Sequence, residues 1–201
     1  MKLKLKVMTF LFLFLSMSAY AEKKVLILGD SLTEGIGINK EEAYPHLVEN
    51  LLKSKKIDVS ILNGGVSGST SASGLQRLKW HLRKPLDILV LELGANDGLR
   101  GLDLKTTEKN LKAIIDYAHQ QKIKVLCLGV LMPPNYGKEY TRDFALMYQR
   151  LSKEKKIPLL PFFIQEVAGK KEYNLADGIH PNALGHQKIA TPIAKFIEEN
   201  L

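Results

Sequence analysis

Ser31, Gly68, Asn96, Asp177 and His180 are the residues of this chain whose types and spacing could do chemistry. Asp177 and His180 stand three apart in Asp177-Gly178-Ile179-His180-Pro181. In a tight glycine-containing loop, that spacing lets a carboxylate reach the imidazole Nδ1 and leaves Nε2 facing outward to a nucleophile. Ser31, in Gly29-Asp30-Ser31-Leu32, supplies a hydroxyl. The Gly68 amide, the Asn96 side-chain amide and the Ser31 amide are suitable donors to an oxyanion. Asparagine suits that task because it donates without a charge that would overstabilise the ground state. These are the parts of a serine hydrolase acting on esters. Each also has a plain structural reading when taken alone. Asp30-Ser31 can cap a helix, Gly68 can permit a turn, Asn96-Asp97-Gly98 can be an Asx turn, and His180 can be an exposed loop histidine.

The elements that must position these residues alternate along the chain. Val25-Leu26-Ile27-Leu28 is an unbroken apolar run ended by Gly29, which reads as a buried parallel strand. Further strands are expected over residues 57–62, 86–93, 123–130 and 159–160. Helices are expected over 41–56, 73–83, 104–121, 140–156 and 182–199, the last interrupted by Pro192. Residues 132–137, with Pro133-Pro134, read as an irregular loop, and residues 162–174 favour neither helix nor strand. Strands alternating with helices predict an α/β fold, a three-layer α/β/α sandwich around a parallel sheet. Ser31, Gly68 and Asn96 then follow the carboxyl ends of the first three strands, where open sheets of this kind place their ligands.

The motifs Gly29-Asp30-Ser31-Leu32, Gly65-Val66-Ser67-Gly68, Gly94-Ala95-Asn96-Asp97 and Asp177-Gly178-Ile179-His180-Pro181 stand in the order that marks the SGNH, or GDSL, hydrolases. The chain resembles that family across nearly all of residues 22–201. Ala95 departs from the usual glycine. Residues 92–101, 135–137 and 158–163 are similar to its exported bacterial esterase branch. The resemblance implies a flavodoxin-like, five-stranded parallel sheet of order 2-1-3-4-5 and a shallow acyl groove. It also implies hydrolysis of medium to long acyl esters and thioesters, lysophospholipids among them, with no cofactor. Leu99, Leu102, Met132, Tyr136 and Ile179 are apolar or amphipathic residues in loops at the catalytic end, and they are expected to line that groove. The competing activity within the family is removal of acetyl groups from carbohydrates.

Outside this domain, residues 1–21 read as a secretory signal peptide. Lys2, Lys4 and Lys6 precede an apolar run over residues 7–15, and Ala19-Tyr20-Ala21 is a small-x-small cleavage pattern. The run is shorter than the ~20 residues a membrane anchor needs. Export to the periplasm or beyond is therefore expected, with no stable membrane anchor. Cleavage after Ala21 removes three lysines and no acid, lowering the formal net charge from +8 to +5. The remaining Lys and Arg are scattered along the sequence rather than striped. They read as a solvated surface with no call for nucleic acid, and with mild attraction to anionic lipid or substrate as a secondary possibility. A monomer is expected. The lone Cys127 lies in an apolar run and reads as a small buried hydrophobe, and no cluster has metal spacing. A phosphate-binding module is the competing non-enzymatic reading, since glycine loops at strand ends also cradle phosphate. Gly35-Ile36-Gly37 lacks the third glycine of a dinucleotide fingerprint, and no Gly-Lys-Ser/Thr occurs.

Overall fold

The apolar run after Lys24 forms β1 (Lys23–Gly29), the centre of a computed structural model that describes residues 22–201. The expected signal peptide lies outside the described residues. Strand β1 is flanked by β2 (Val59–Gly65) and β3 (Ile88–Leu91), and β4 (Lys124–Leu128) and β5 (Leu159–Leu160) complete the sheet. All pairings are parallel, in the order 2-1-3-4-5. Val25 to Leu28 and Ile88 to Leu91 are buried on both faces, as a sheet covered by helices on each side requires. One face is covered by α2 (Tyr44–Ser54) packed on α7 (Ala183–Glu198). The other carries α3 (Ser71–His81), α5 (Leu104–Gln120) and α6 (Lys138–Lys155), each against its neighbour. Two short helices, α1 (Ser31–Glu34) and α4 (Ala95–Leu99), follow β1 and β3 at the carboxyl edge.

Boundaries shift where local chemistry overrides periodicity. Strand β2 continues through Asn63, Gly64 and Gly65, which composition assigns to a loop, because α1 crosses it too closely for side chains. A Cβ on Gly65 would lie 2.1 Å from the Glu34 amide nitrogen and 2.7 Å from the Thr33 carbonyl carbon. Helix α3 begins at Ser71 rather than Ser73, since Asp97 accepts both the Ser71 amide (2.8 Å) and its hydroxyl (2.5 Å). The Pro-rich loop after β4 contains a 3₁₀ turn, Pro134–Tyr136, despite its two prolines. The ambiguous stretch before His180 is a series of turns ending in the 3₁₀ turn Lys171–Tyr173. Pro192 lies inside α7.

Gly65→Ala should destabilise the fold by about 3 kcal/mol, at the upper end of ordinary overpacking, because the clash is with backbone rather than a movable side chain. It should also lower hydrolysis, since α1 carries Ser31. Urea unfolding at parental stability would show that the two backbones are not in contact.

Candidate active site

The turn after β1 is built to present a hydroxyl. Asp30 caps α1 by accepting the Leu32 amide at 3.0 Å, and Ser31 is the first residue of that helix. Gly29 is obligatory here, because a Cβ would sit 1.9 Å from Thr33 Oγ1 and 2.4 Å from Glu92 Oε2. Ser31 is 9% exposed, so only its catalytic-edge face meets solvent.

The loop before α7 brings up the base. Gly178 takes φ +70°. Asp177 Oδ1 accepts the amides of Ile179 (2.8 Å) and His180 (3.0 Å). Asp177 Oδ2 accepts His180 Nδ1–H at 2.7 Å. The His180 amide, then its ring, then the Ile179 amide hold the Asp177 carboxyl down at about 2, so it stays ionised across any ordinary pH. That bond fixes the imidazole tautomer, and Nε2 accepts the Ser31 hydroxyl at 2.9 Å. The loop itself is tied down by Leu175 N–H to the His180 carbonyl (2.8 Å) and by a bridge between Asn174 and Pro181.

Two of the expected oxyanion donors lie in segments tied by hydrogen bonds to the turn that carries Ser31. Asn96, in α4, donates one amide hydrogen to Asp30 Oδ2 at 3.2 Å, leaving the other free. Gly68, at φ +73°, is clamped from both sides. The preceding Ser67 amide donates to Glu34 Oε2 at 2.7 Å, and Arg100 donates to the Gly68 carbonyl at 3.0 Å. The Gly68 amide has no acceptor among the described residues.

Sequence reasoning missed what lies beneath Asp30. Glu92 interrupts the most apolar strand region, which was the available signal, and it is fully buried. It accepts the Asp30 amide (3.2 Å) and the Thr33 hydroxyl (2.7 Å), and Tyr44 donates to Thr33 in turn (2.7 Å). Burial, then the charge of Asp30, pushes the Glu92 carboxyl well above the usual carboxylate range. Asp30 is pushed up by burial to about 6, against the lowering effects of Leu32, Asn96, His180 and Arg77. Burial favours the protonated form of both carboxyls, and Glu92 lacks the Asn96 and His180 neighbours that pull Asp30 back.

The sign of the resulting pH effect follows. Unfolded Glu92 ionises near pH 4.3 while the folded form keeps its proton, so the folded state binds more protons and stability falls as pH rises. Glu92→Gln removes that titration. Its stability relative to the parent should rise, by up to about 1.4 kcal/mol per pH unit, as pH climbs above the unfolded Glu92 titration. A difference constant over that climb in denaturant unfolding would place the proton elsewhere.

Of the expected groove residues, Ile179 and Leu102 are exposed, and Leu99 and Tyr136 are half-buried. Tyr136 donates to the Leu99 carbonyl at 3.0 Å, and Tyr140 to the Leu102 carbonyl at 3.1 Å. Met132 is a correction. It is 8% exposed and belongs to the core, with its sulfur against Gly98 and Phe144 alongside, whereas its neighbour Leu131 faces solvent at 43%. Gly98 is thus demanded by packing. Tyr136, Tyr140 and Arg100 tie down the following loop through hydrogen bonds to the Leu99, Leu102 and Gly68 carbonyls. Val66, preceding Ser67-Gly68, is a further exposed apolar side chain at this edge that the sequence did not single out. Cys127 is buried, and burial followed by the charge of Glu92 pushes its thiol up to about 12. His186 is buried as well, accepts the Tyr44 amide at 3.0 Å, and is driven down to about 4 by burial. No cluster of metal-ligating side chains occurs among the described residues.

An α/β/α sheet of this order, with this constellation at its carboxyl edge, defines an ester-hydrolysing enzyme. The GDSL-like Lipase/Acylhydrolase family matches residues 27–188, and the chain belongs to that family. It is 36% identical over 185 residues to the arylesterase of Vibrio mimicus, covering 92% of each chain. It is 40% identical over 182 residues to the Escherichia coli K12 thioesterase 1/protease 1/lysophospholipase L1, covering 90% of this chain and 86% of that one. The crystal structure of TesA superposes with a TM-score of 0.86 at 33% identity, over 89% of this chain and 100% of the other.

Proposed function

We propose that this protein is an exported serine esterase that cleaves carboxylic esters and thioesters of medium to long acyl chains, lysophospholipids included. The observation that carries the reading is the unbroken relay from Ser31 Oγ to His180 Nε2 (2.9 Å) and from His180 Nδ1 to Asp177 Oδ2 (2.7 Å). Neutral His180 takes the Ser31 proton as Oγ attacks the carbonyl carbon. The new oxyanion is received by the Ser31 and Gly68 amides and the free Asn96 amide hydrogen. Collapse breaks the ester or thioester bond, and His180 returns the proton to the leaving alcohol or thiol. Water, deprotonated by the same imidazole, then releases the acid and restores Ser31. Asp177 orients the ring and stabilises the imidazolium without itself taking up the proton.

The names of the relatives support ester and thioester substrates, and the exposed apolar rim supports acyl chains. Val66, Leu102, Leu131 and Ile179 are all exposed on loops at the catalytic edge. Export rests on the leader-like residues 1–21. Among the described residues, no helix is long and apolar enough to cross a membrane. Acyl-CoA is cytoplasmic, so an exported enzyme would meet lysophospholipids or other envelope esters instead.

The test is a hydrolysis panel on residues 22–201: p-nitrophenyl esters of graded length, acyl-CoA, lysophospholipid and acetylated sugar, with fluorophosphonate labelling of Ser31. Each methylene seated on the rim adds at most ~0.8 kcal/mol, so kcat/KM should climb from acetyl to octanoyl esters and then level off. Leu131→Ser with Ile179→Ser should flatten that climb. Faster cleavage of acetylated sugar than of octanoyl esters would overturn the acyl-chain reading in favour of a carbohydrate deacetylase. Absence of labelling would remove the serine mechanism.

A further inference from the structure

Lysines that are dispersed in the sequence converge in the fold. Every strand is parallel, so every strand starts at the same edge of the sheet, opposite Ser31. Each is approached through basic residues: Lys23-Lys24 for β1, Lys55-Lys56 for β2, Arg83-Lys84 for β3, Lys122 and Lys124 for β4, and Lys155-Lys156 for β5. Some of this charge is answered locally, by Glu198 on Lys55 and by Asp116 and Glu154 on Lys155. Asp58 and Asp87 lie in the same turns, and Asp87 accepts the Lys24 amide. Lys24, Lys56, Lys84, Lys122, Lys124 and Lys156 are exposed and form no ion pair among the described residues. The catalytic edge is mixed, carrying exposed Glu34, Asp103 and Asp177 together with Arg100.

The backbone gives a second observation. Lys56, Lys122 and Lys156 all take left-handed conformations, at φ 62°, 62° and 52°. Each follows the end of a helix, at a position where glycine is the usual residue because it escapes the Cβ strain. At α2 and α6 favourable charge at the helix end does not require it, since their last turns already carry Lys53, Lys153 and Lys155. Lysine in all three strained places keeps charge on this edge at the expense of backbone comfort. At the end of α3, on the approach to β3, Trp80 is 59% exposed with Arg83 over its ring at 5.9 Å.

We propose that the amino edge of the sheet is a docking face for an anionic lipid bilayer, with Trp80 as its interfacial anchor. A rim of turns bearing lysine and an exposed indole matches a headgroup layer, where indoles settle and each nearby lysine adds attraction. Among the described residues this edge consists of turns and strand starts, with no helix or ribbon projecting from it to enter a nucleic-acid groove. Docked this way, the enzyme turns Ser31 away from the bilayer that holds it and toward substrate arriving from the aqueous side.

Trp80 is the only tryptophan, so its emission reports docking directly. The test uses residues 22–201, which span the five-stranded sheet and the helices that cover it. On addition of phosphatidylglycerol/phosphatidylcholine vesicles, emission should shift to the blue at low salt and return at high salt; phosphatidylcholine alone should do nothing. Replacing Lys56, Lys122 and Lys156 together by glycine should weaken partitioning on the order of a hundredfold. The same variant should keep its p-nitrophenyl ester hydrolysis and a Tm equal to or above the parent's. Equal binding by the triple variant, equal binding to neutral vesicles, or tight binding to duplex DNA with no response to anionic vesicles would each overturn the proposal.

Discussion

Ser31→Ala should abolish ester hydrolysis, with kcat falling by roughly a millionfold, the loss typical when a triad nucleophile is removed. The fold should survive, because among the described residues the Ser31 hydroxyl makes no hydrogen bond other than that to His180 Nε2. Asp30 would still cap α1, and the Gly35 amide would still close on the residue-31 carbonyl. Thermal unfolding should therefore match the parent while fluorophosphonate labelling vanishes. His180→Ala should behave nearly the same way, whereas Asp177→Asn keeps both nucleophile and base and should lose less. Turnover persisting in Ser31→Ala at even a hundredth of the parental rate would mean that another group attacks the ester.

Asn96→Ala should lower kcat by roughly a hundred- to a thousandfold, the usual loss for one oxyanion donor, with KM little changed. The structure sharpens that expectation. One Asn96 amide hydrogen is committed to Asp30 Oδ2 at 3.2 Å, so the side chain cannot turn away from the site without leaving a buried carboxylate short of a donor. Removing it should also raise the Asp30 carboxyl further, since Asn96 is among the groups that lower it. A variant altered only in KM, with kcat intact, would make Asn96 a substrate contact or a turn residue instead of an oxyanion donor.

The parts of this molecule legible in its sequence are those written in local signals. The run from Val25 to Leu28 and the Gly29 that ends it mark β1, and even the two-residue β5 is announced by Pro158 and Pro161 around Leu159-Leu160. Asp177 and His180 could be paired because their contact spans three residues. What stayed hidden depends on contacts between distant segments. Gly64 and Gly65 look like loop residues until α1 is laid across β2. Met132 and Leu131 cannot be assigned to core or rim without the phase of the chain after β4, and the structure gives the core to Met132. Glu92 is visible as an interruption, but its partners Asp30, Thr33 and Tyr44 come from another strand and the segment after it. The lysines, too, converge only once five strands are aligned in one direction.

The nucleophile and its base are separated by 149 residues of chain, and the loop carrying the base is the last to be made before the final helix. Hydrolytic competence is therefore a property of the finished polypeptide. A ribosome-bound precursor holds Ser31 with no group to accept its proton, however much of the sheet has formed. This is a built-in delay: esters and thioesters around the nascent chain are spared until the last segment closes over the first.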